Sequence, residues 1–269
     1  DADILLRSSD IDAQDFRAHK CVLSASSPFF CTMLSLPQPP DTSNELPIID
    51  MPEPANVLRA LLHFIYPIPD PDINDLDSLV SLLIPADKYE FTDVLSRLRS
   101  LLVSPSYLST EPLRVYAIAA RFDFANELDI AAQATLRIHI SNYDLPPDFQ
   151  YIGAEMFERL LRFHRRRARA AQRLVVMGDL TPCAACNGAH AGVPSTQTMY
   201  GPPRWWTTWK IRARQELELR PSTEVIFGME FLMKSVKMAE CTYCAESLLG
   251  SCAFLGGLKE MMDELPLSI

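Results

Sequence analysis

The stretch from Phe16 to Phe30 constrains the fold most, because the hydrophobic period changes there once and a serine–proline pair then divides the helical part. Phe16 and Ala18 flank the charged Arg17, the two-residue alternation of a strand end. From His19 onward the period lengthens. Val22, Leu23, Phe30, Met33 and Leu34 recur at three- and four-residue spacing, which predicts short helices with one buried face. Ser27-Pro28 separates them, since a serine oxygen caps free N–H groups and proline suits the first helical position. Phe29 and Phe30 then place a large apolar area at the start of the second helix.

The flanking sequence extends this pattern. Asp3–Ser8 and Asp15–Lys20 read as two strands joined by a polar turn, and Leu46–Asp50 as a third short strand. Pro54 opens a helix with the stripe Val57, Leu58, Leu61, Leu62 and Ile65, which Pro67 stops. Leu76, Leu79, Val80 and Leu83 form the next apolar face, and Pro85 either kinks that helix or starts a new one. Thr92 is read as the cap of a helix carrying Leu95, Leu98, Leu101 and Leu102. No glycine precedes Gly153, so the phosphate-cradling loops that need positive φ and close backbone approach are excluded from the first 152 residues. A G-x-S-x-G elbow is missing from the whole sequence.

A strand hairpin, then His19-Lys20-Cys21-Val22-Leu23-Ser24, Ser27-Pro28-Phe29-Phe30, a strand and helix pairs: this order resembles the BTB (POZ) domain, a protein-interaction fold of α+β class. The resemblance covers about Asp3 to Val103. It makes Asp3 the family's acidic residue before the first strand and His19-Lys20 its H-K pair. It also implies self-association as a homodimer and docking of protein partners. The helix and strand that many members place before this region, and use for domain-swapped dimerisation, are missing here; the chain opens at Asp1 without a methionine and is expected to lack its natural N-terminus. Phe30, Met33, Leu34 and Leu36 are the candidate partner-binding residues. In members that bind a cullin ubiquitin-ligase scaffold a hydrophobic–x–acidic element follows this helix, whereas Leu36-Pro37-Gln38 has no acid at the third place.

Beyond residue 103 the sequence changes character. Ala86–Leu95 is echoed by Ala119–Leu128 at an offset of 33 residues, each copy a helix end, an aromatic–acidic–Phe turn and a capped helix start. Two copies are too few for a solenoid. Residues 104–145 therefore resemble the BACK-type helical extension of some BTB proteins, with Thr110-Glu111-Pro112 capping a helix that carries Leu113, Tyr116, Ala117 and Ala120. Residues 146–269 are expected to form a helical Cys/Trp-rich domain, an arrangement similar to fungal members with a C-terminal cysteine module. The run Arg162 to Arg173 is read as a solvated helix face, with a nuclear import signal or nucleic-acid patch as the alternative. Trp205, Trp206 and Trp209 are read as core anchors rather than an aromatic cage.

The sharpest chemical feature is Cys183-Ala184-Ala185-Cys186 with Cys241-Thr242-Tyr243-Cys244. One C-x-x-C turn chelates with two thiolates, and two such turns complete a tetrahedral zinc shell. The 54 intervening residues mean such a site would tie distant segments together. Zinc, four ordinary buried cysteines and redox chemistry remain open at this point, with His190 and Cys252 as substitute ligands. His19 beside Cys21 suggests a thiol nucleophile, but no third orienting group is identifiable; a structural role at the strand–helix junction, with a ring N–H bonding backbone, is expected.

These readings converge on an interaction adaptor or scaffold, with a cullin adaptor as one form and a nuclear transcriptional regulator as the alternative. The lack of glycine loops and catalytic clusters argues against an enzyme. A net charge of −9 argues against a general nucleic-acid binder. No run approaches the ~18 apolar residues of a membrane span, and no signal pattern opens the chain, so nucleus or cytoplasm is the expected location.

Overall fold

The computed structural model describes residues 1–37, 46–186 and 201–269, and divides the chain into two compact units, Asp1–Glu111 and Pro112–Ile269. The sequence places boundaries after residues 103 and 145; the structure groups the helices on either side of residue 145 in one unit.

In the first unit, β1 (Ile4–Arg7) lies between β2 (Asp15–Ala18), antiparallel to it, and β3 (Ile48–Asp50), parallel to it. Ile4 pairs with Ala18 and Leu6 with Phe16, so the alternation that marks the strands turns Ile4, Leu6 and Ala18 into the core. Between β2 and β3 come α1 (Lys20–Ser26) and α2 (Pro28–Ser35), followed after β3 by α3 (Ala55–Ile65), α4 (Leu76–Lys88), α5 (Thr92–Leu102) and α6 (Pro105–Thr110). Asp3 accepts the Lys20 backbone N–H at 2.7 Å, so a carboxylate from the first strand's approach caps α1. The expected break between α1 and α2 is present: Ser27 Oγ accepts from the Phe30 N–H at 3.0 Å, and Pro28 takes the first helical position. The same hydroxyl donates to the Tyr89 carbonyl, fixing α2 against the end of α4. Asp10, in the turn between β1 and β2, accepts the Ala55 N–H at 2.6 Å and starts α3. α4 runs on through Pro85 rather than starting again there.

The 33-residue echo is a repeated helix ending. Glu90 and Asp123 both have left-handed φ, 55° and 53°. Phe91 N–H bonds Ala86 O at 2.8 Å and Phe124 N–H bonds Ala119 O at 2.9 Å, the six-residue closure of a Schellman ending. This moves the start of the next helix earlier than the sequence suggested. Phe91 occupies the cap position of α5 without a side-chain bond, and Thr92 is already helical, so the expected Thr92 cap is not made. Thr110 likewise ends α6, where its hydroxyl bonds the Ser106 carbonyl, instead of capping the helix after it.

The second unit is α7 (Pro112–Arg121), α8 (Ala125–Thr135), two short 3₁₀ turns, α9 (Ala154–Leu174), α10 (Arg204–Leu219), α11 (Thr223–Ile226), α12 (Met229–Met238), α13 (Cys244–Gly250) and α14 (Cys252–Asp263). α13 and α14 are separated by one residue, Ser251. The chain at Thr181 passes this junction so closely that a Cβ at Gly250 would meet Thr181 Oγ1 at 2.7 Å, and the Thr181 N–H bonds Ser251 Oγ at 3.0 Å. All three tryptophans of α10 are buried, with Trp206 and Trp209 stacked at 4.9 Å and Trp209 Nε1 donating to Ile226 O at 2.8 Å. They are core anchors.

The arginine run on α9 is only partly a solvated face. Arg167 is 8% exposed and donates to the carbonyls of Met262, Leu265 and Pro266, satisfying the open end of α14. Arg166 bonds Ser268 O and Arg159 bonds Ile269 O, so one edge of the run holds residues 265–269.

His164, on the buried face of α9, gives the second unit a pH-sensitive element. Thr135 Oγ1 donates to Ala132 O, which leaves its lone pairs to accept from His164 Nε2–H at 2.8 Å. Burial pulls the imidazole down to about 4, because the charged form would be desolvated. Unfolding restores a value near 6.5, so the unfolded chain binds the proton more readily and stability falls as pH drops from about 6.5 towards 4. Between pH 7.5 and 5 this group alone should remove about 2 kcal/mol. His164→Gln should abolish that component, measured as the difference between the two proteins' urea stabilities across the same pH range. Parallel pH curves would show that the ring is not held neutral.

Candidate functional site

Two places hold the candidate functional residues, and each is built within one unit. The first is the cluster of four thiols. Thr181, two residues before the first cysteine pair, is locked by α13: Ser251 Oγ accepts its N–H at 3.0 Å, and Ser247 Oγ donates to its carbonyl. Ser247 in turn accepts from Trp205 Nε1 at 2.9 Å, so the core tryptophan, the helix and the cysteine-bearing segment share one hydrogen-bond chain. The second pair follows α12. Glu240 takes left-handed φ, 49°, and turns the chain into Cys241, while Cys244 is the first residue of α13.

These devices bring all four Sγ atoms within 4.8 Å of one another. Cys183 to Cys241 and Cys186 to Cys244 are both 3.6 Å, and Cys183 to Cys244 is 3.9 Å. A tetrahedral ion with metal–sulfur bonds of about 2.3 Å has sulfur–sulfur edges of about 3.8 Å. The distances fit that edge, and they are far too long for disulfides, which need about 2.05 Å. None of the seven cysteines is in a disulfide. Cys183 and Cys244 are buried and Cys186 and Cys241 half-buried, so the cluster is closed by its own ligands.

Backbone donors are aimed at the sulfurs. Arg204 N–H, at the start of α10, reaches Cys186 Sγ at 3.3 Å, and the Trp205 N–H bonds Cys244. Both are free donors of a sixteen-residue helix whose first turn holds no acidic side chain, so its positive end faces thiolates. Burial opposes ionisation of Cys183, but the N–H groups of Cys186 and Ala185, with the Cys186 and Cys241 thiols, outweigh it and bring Cys183 down to about 7. Burial, with the charge of neighbouring thiols, pushes Cys186 and Cys244 up. The cluster thus accepts one negative charge readily and resists more unless a cation shares the site.

Cys252, in α14's first turn, is not part of the cluster: its thiol bonds the Leu248 carbonyl of α13. His190 and Gln38 lie outside the described residues.

The second place is α2. Phe30 is 1% exposed and sits among Phe29, Tyr89 and Phe91 at ring-centroid distances of 5.4, 5.5 and 5.7 Å, so it supplies core. Met33 and Leu34 are half-buried, Leu36 is 57% exposed, and Phe29, outside the set chosen from the sequence, is also exposed. Periodicity alone could not separate Phe29 from Phe30. His19 is held structurally, though by side chains rather than backbone: Tyr66 OH accepts its backbone N–H at 2.9 Å and lies 3.0 Å from Nδ1, while Nε2 lies 3.2 Å from Asp1. Its neighbour Cys21 is exposed.

The first unit is thus a three-stranded sheet with helix pairs around a capped serine–proline break. Residues 1–106 match the family model of the BTB/POZ domain, and the chain carries a BTB/POZ domain. No curated protein matches the chain. Among the described residues, no helix is long and apolar enough to cross a membrane.

Proposed function

We propose that this protein is an interaction adaptor, in which the BTB/POZ unit self-associates and docks a protein partner while Cys183, Cys186, Cys241 and Cys244 hold one structural zinc ion. The match of residues 1–106 to an interaction domain carries the first part. The tetrahedral sulfur spacing carries the second. Four thiolates fill every position of a tetrahedral zinc, leaving none for water or substrate, so the ion's contribution is to folding. The exposed end of α2, Phe29 with Leu36 and the half-buried Met33 and Leu34, offers apolar area for a symmetric contact across a two-fold axis. Leu36-Pro37-Gln38 lacks the acid that cullin-binding members carry, so cullin affinity should be weak. Nuclear co-regulator binding is the alternative use of the same domain.

Sedimentation equilibrium at micromolar concentration tests the adaptor reading. A dimer is expected, and Leu34→Glu with Leu36→Glu should shift it to monomer by at least about tenfold in dissociation constant, since each variant buries a charge in the contact. A protein that stays strictly monomeric would remove self-association from the proposal.

A further inference from the structure

The arginines of α9 that do not hold residues 265–269 form a second surface. Arg165, Arg169 and Arg173 lie at i, i+4 and i+8, one stripe on the exposed side of the helix, and Arg214 of α10 lines the same groove as Arg169 and Arg173. Among the described residues these four guanidinium groups make neither an ion pair nor a hydrogen bond, whereas Arg162 beside them pairs with Glu158 at 2.8 Å. Like charges at four-residue spacing destabilise a helix by about 0.2–0.5 kcal/mol per pair. The sequence therefore holds a repulsive row whose guanidinium groups pair with no side chain among the described residues, and Glu218 is the one carboxylate that lines the groove. It is also local. Residues 1–111 contain 7 Lys/Arg against 17 Asp/Glu, and residues 112–269 contain 18 against 17, so the row is a positive patch on a chain of net −9.

We propose that this α9–α10 groove binds an acidic peptide segment of a protein partner. The row from Arg165 to Arg173 spans about 12 Å at roughly 1.5 Å per residue, with a guanidinium every 6 Å or so. Alternate residues of an extended peptide recur at about 6.6–6.8 Å and residues four apart on a helix at about 6 Å, so successive carboxylates meet successive arginines. All four cations are arginine, whose planar fork takes a carboxylate with two parallel hydrogen bonds. Nucleic acid fits less well. The residues lining the groove are arginine, glutamine, Ala170 and Glu218, with no aromatic ring on which a base could stack. Glu218 and the acidic balance of the whole chain repel a long polyanion more than a short segment. None of the residues lining this surface is a cysteine of the sulfur cluster.

Fluorescence anisotropy on the full chain tests the proposal, with a labelled peptide of about 14 residues in which glutamate alternates with serine, at about 0.15 M salt. Micromolar binding is expected, weakening as salt rises. The triple reversal Arg165→Glu, Arg169→Glu, Arg173→Glu should weaken it at least about tenfold, and the milder Arg→Gln triple should weaken it less at unchanged circular dichroism. Reversal of Arg17, Arg59 and Arg97 on the first unit should leave it within about twofold, which separates the groove from net charge. Peptide affinity unchanged in the α9 triple variant, no binding by the wild-type chain, or tighter binding of a duplex DNA or single-stranded RNA of equal charge would each overturn it.

Discussion

Cys186→Ser should release the metal and open the second unit to protease between residues 175 and 250, while residues 1–111 stay resistant. The sulfur cluster sits inside the unit's core rather than on an appendage. Cys183 and Cys244 pack in one cluster with Val175, the three tryptophans, Leu217, Ile226, Leu248, Leu258 and Met262, and Cys186 and Cys241 lie against it. A structural tetrathiolate zinc contributes roughly 10–16 kcal/mol of apparent binding free energy at neutral pH. That equals or exceeds the net stability of a whole domain, about 5–15 kcal/mol, so the core cannot retain its packing once the ion is lost. Removing one ligand also leaves three thiols in a buried site, where burial first and the neighbouring thiols second already push Cys244 up. The first unit has its own core and no share in the cluster, so its resistance should be unchanged. Cys252→Ser, outside the cluster, should keep the metal and serves as the control. Elemental analysis of protein prepared without chelator should give one equivalent of zinc. Less than about a tenth of an equivalent, with all thiols still reduced, would mean that the four cysteines only pack.

How far the sequence leads to this centre can be traced residue by residue. The C-x-x-C spacing states that each pair can chelate, since two residues between thiols suit a single turn. It does not state that the pairs meet. That depends on Gly250 letting Thr181 approach, on Ser247 and Ser251 holding it, and on the left-handed Glu240 redirecting the chain. Each is a contact across 40 or more residues or a strained backbone position, and neither leaves a periodic trace. The same limit applies to Ser251, whose hydroxyl meets Thr181 from 70 residues away at the break between α13 and α14. Local signals carry further. Ser27-Pro28 and the α3 helix act through neighbours within one turn: the break forms as the sequence predicts, and of the expected α3 stripe Val57, Leu58 and Leu61 are buried, whereas Leu62 and Ile65 are half-buried and Phe64 completes the buried face. The 33-residue echo is legible as a repeat but not as a helix ending, because an acidic residue in left-handed conformation does not announce itself as glycine would. The arginine run shows the opposite error, in which a uniform composition hides two uses: Arg167 closes the end of α14, while Arg165, Arg169 and Arg173 stay unpaired among the described residues.

Phe30→Ala should destabilise the first unit by about 3–5 kcal/mol, the range for a fully buried aromatic truncated to alanine. The ring is one of four that meet where α2 crosses the end of α4, with Phe29 edge-on at 88° and Tyr89 and Phe91 tilted against it. Tyr89 cannot shift to fill the space. Its hydroxyl donates to Glu53 at 2.7 Å and accepts from Lys88 at 2.8 Å, and its carbonyl receives the Ser27 hydroxyl, so both ends of the residue are tied. Phe91 is fixed as well, since its N–H closes the ending of α4. A cavity therefore persists, and the loss should fall at the upper part of the range, because the penalty rises with the volume that neighbours fail to reclaim. Phe30→Leu keeps most of the volume and should lose less than about 1.5 kcal/mol. Urea unfolding followed by hydrogen exchange over residues 1–111 measures both, with the second unit as internal reference. Phe30→Ala that leaves this exchange unchanged but abolishes dimerisation would place the ring in a partner contact instead of the core.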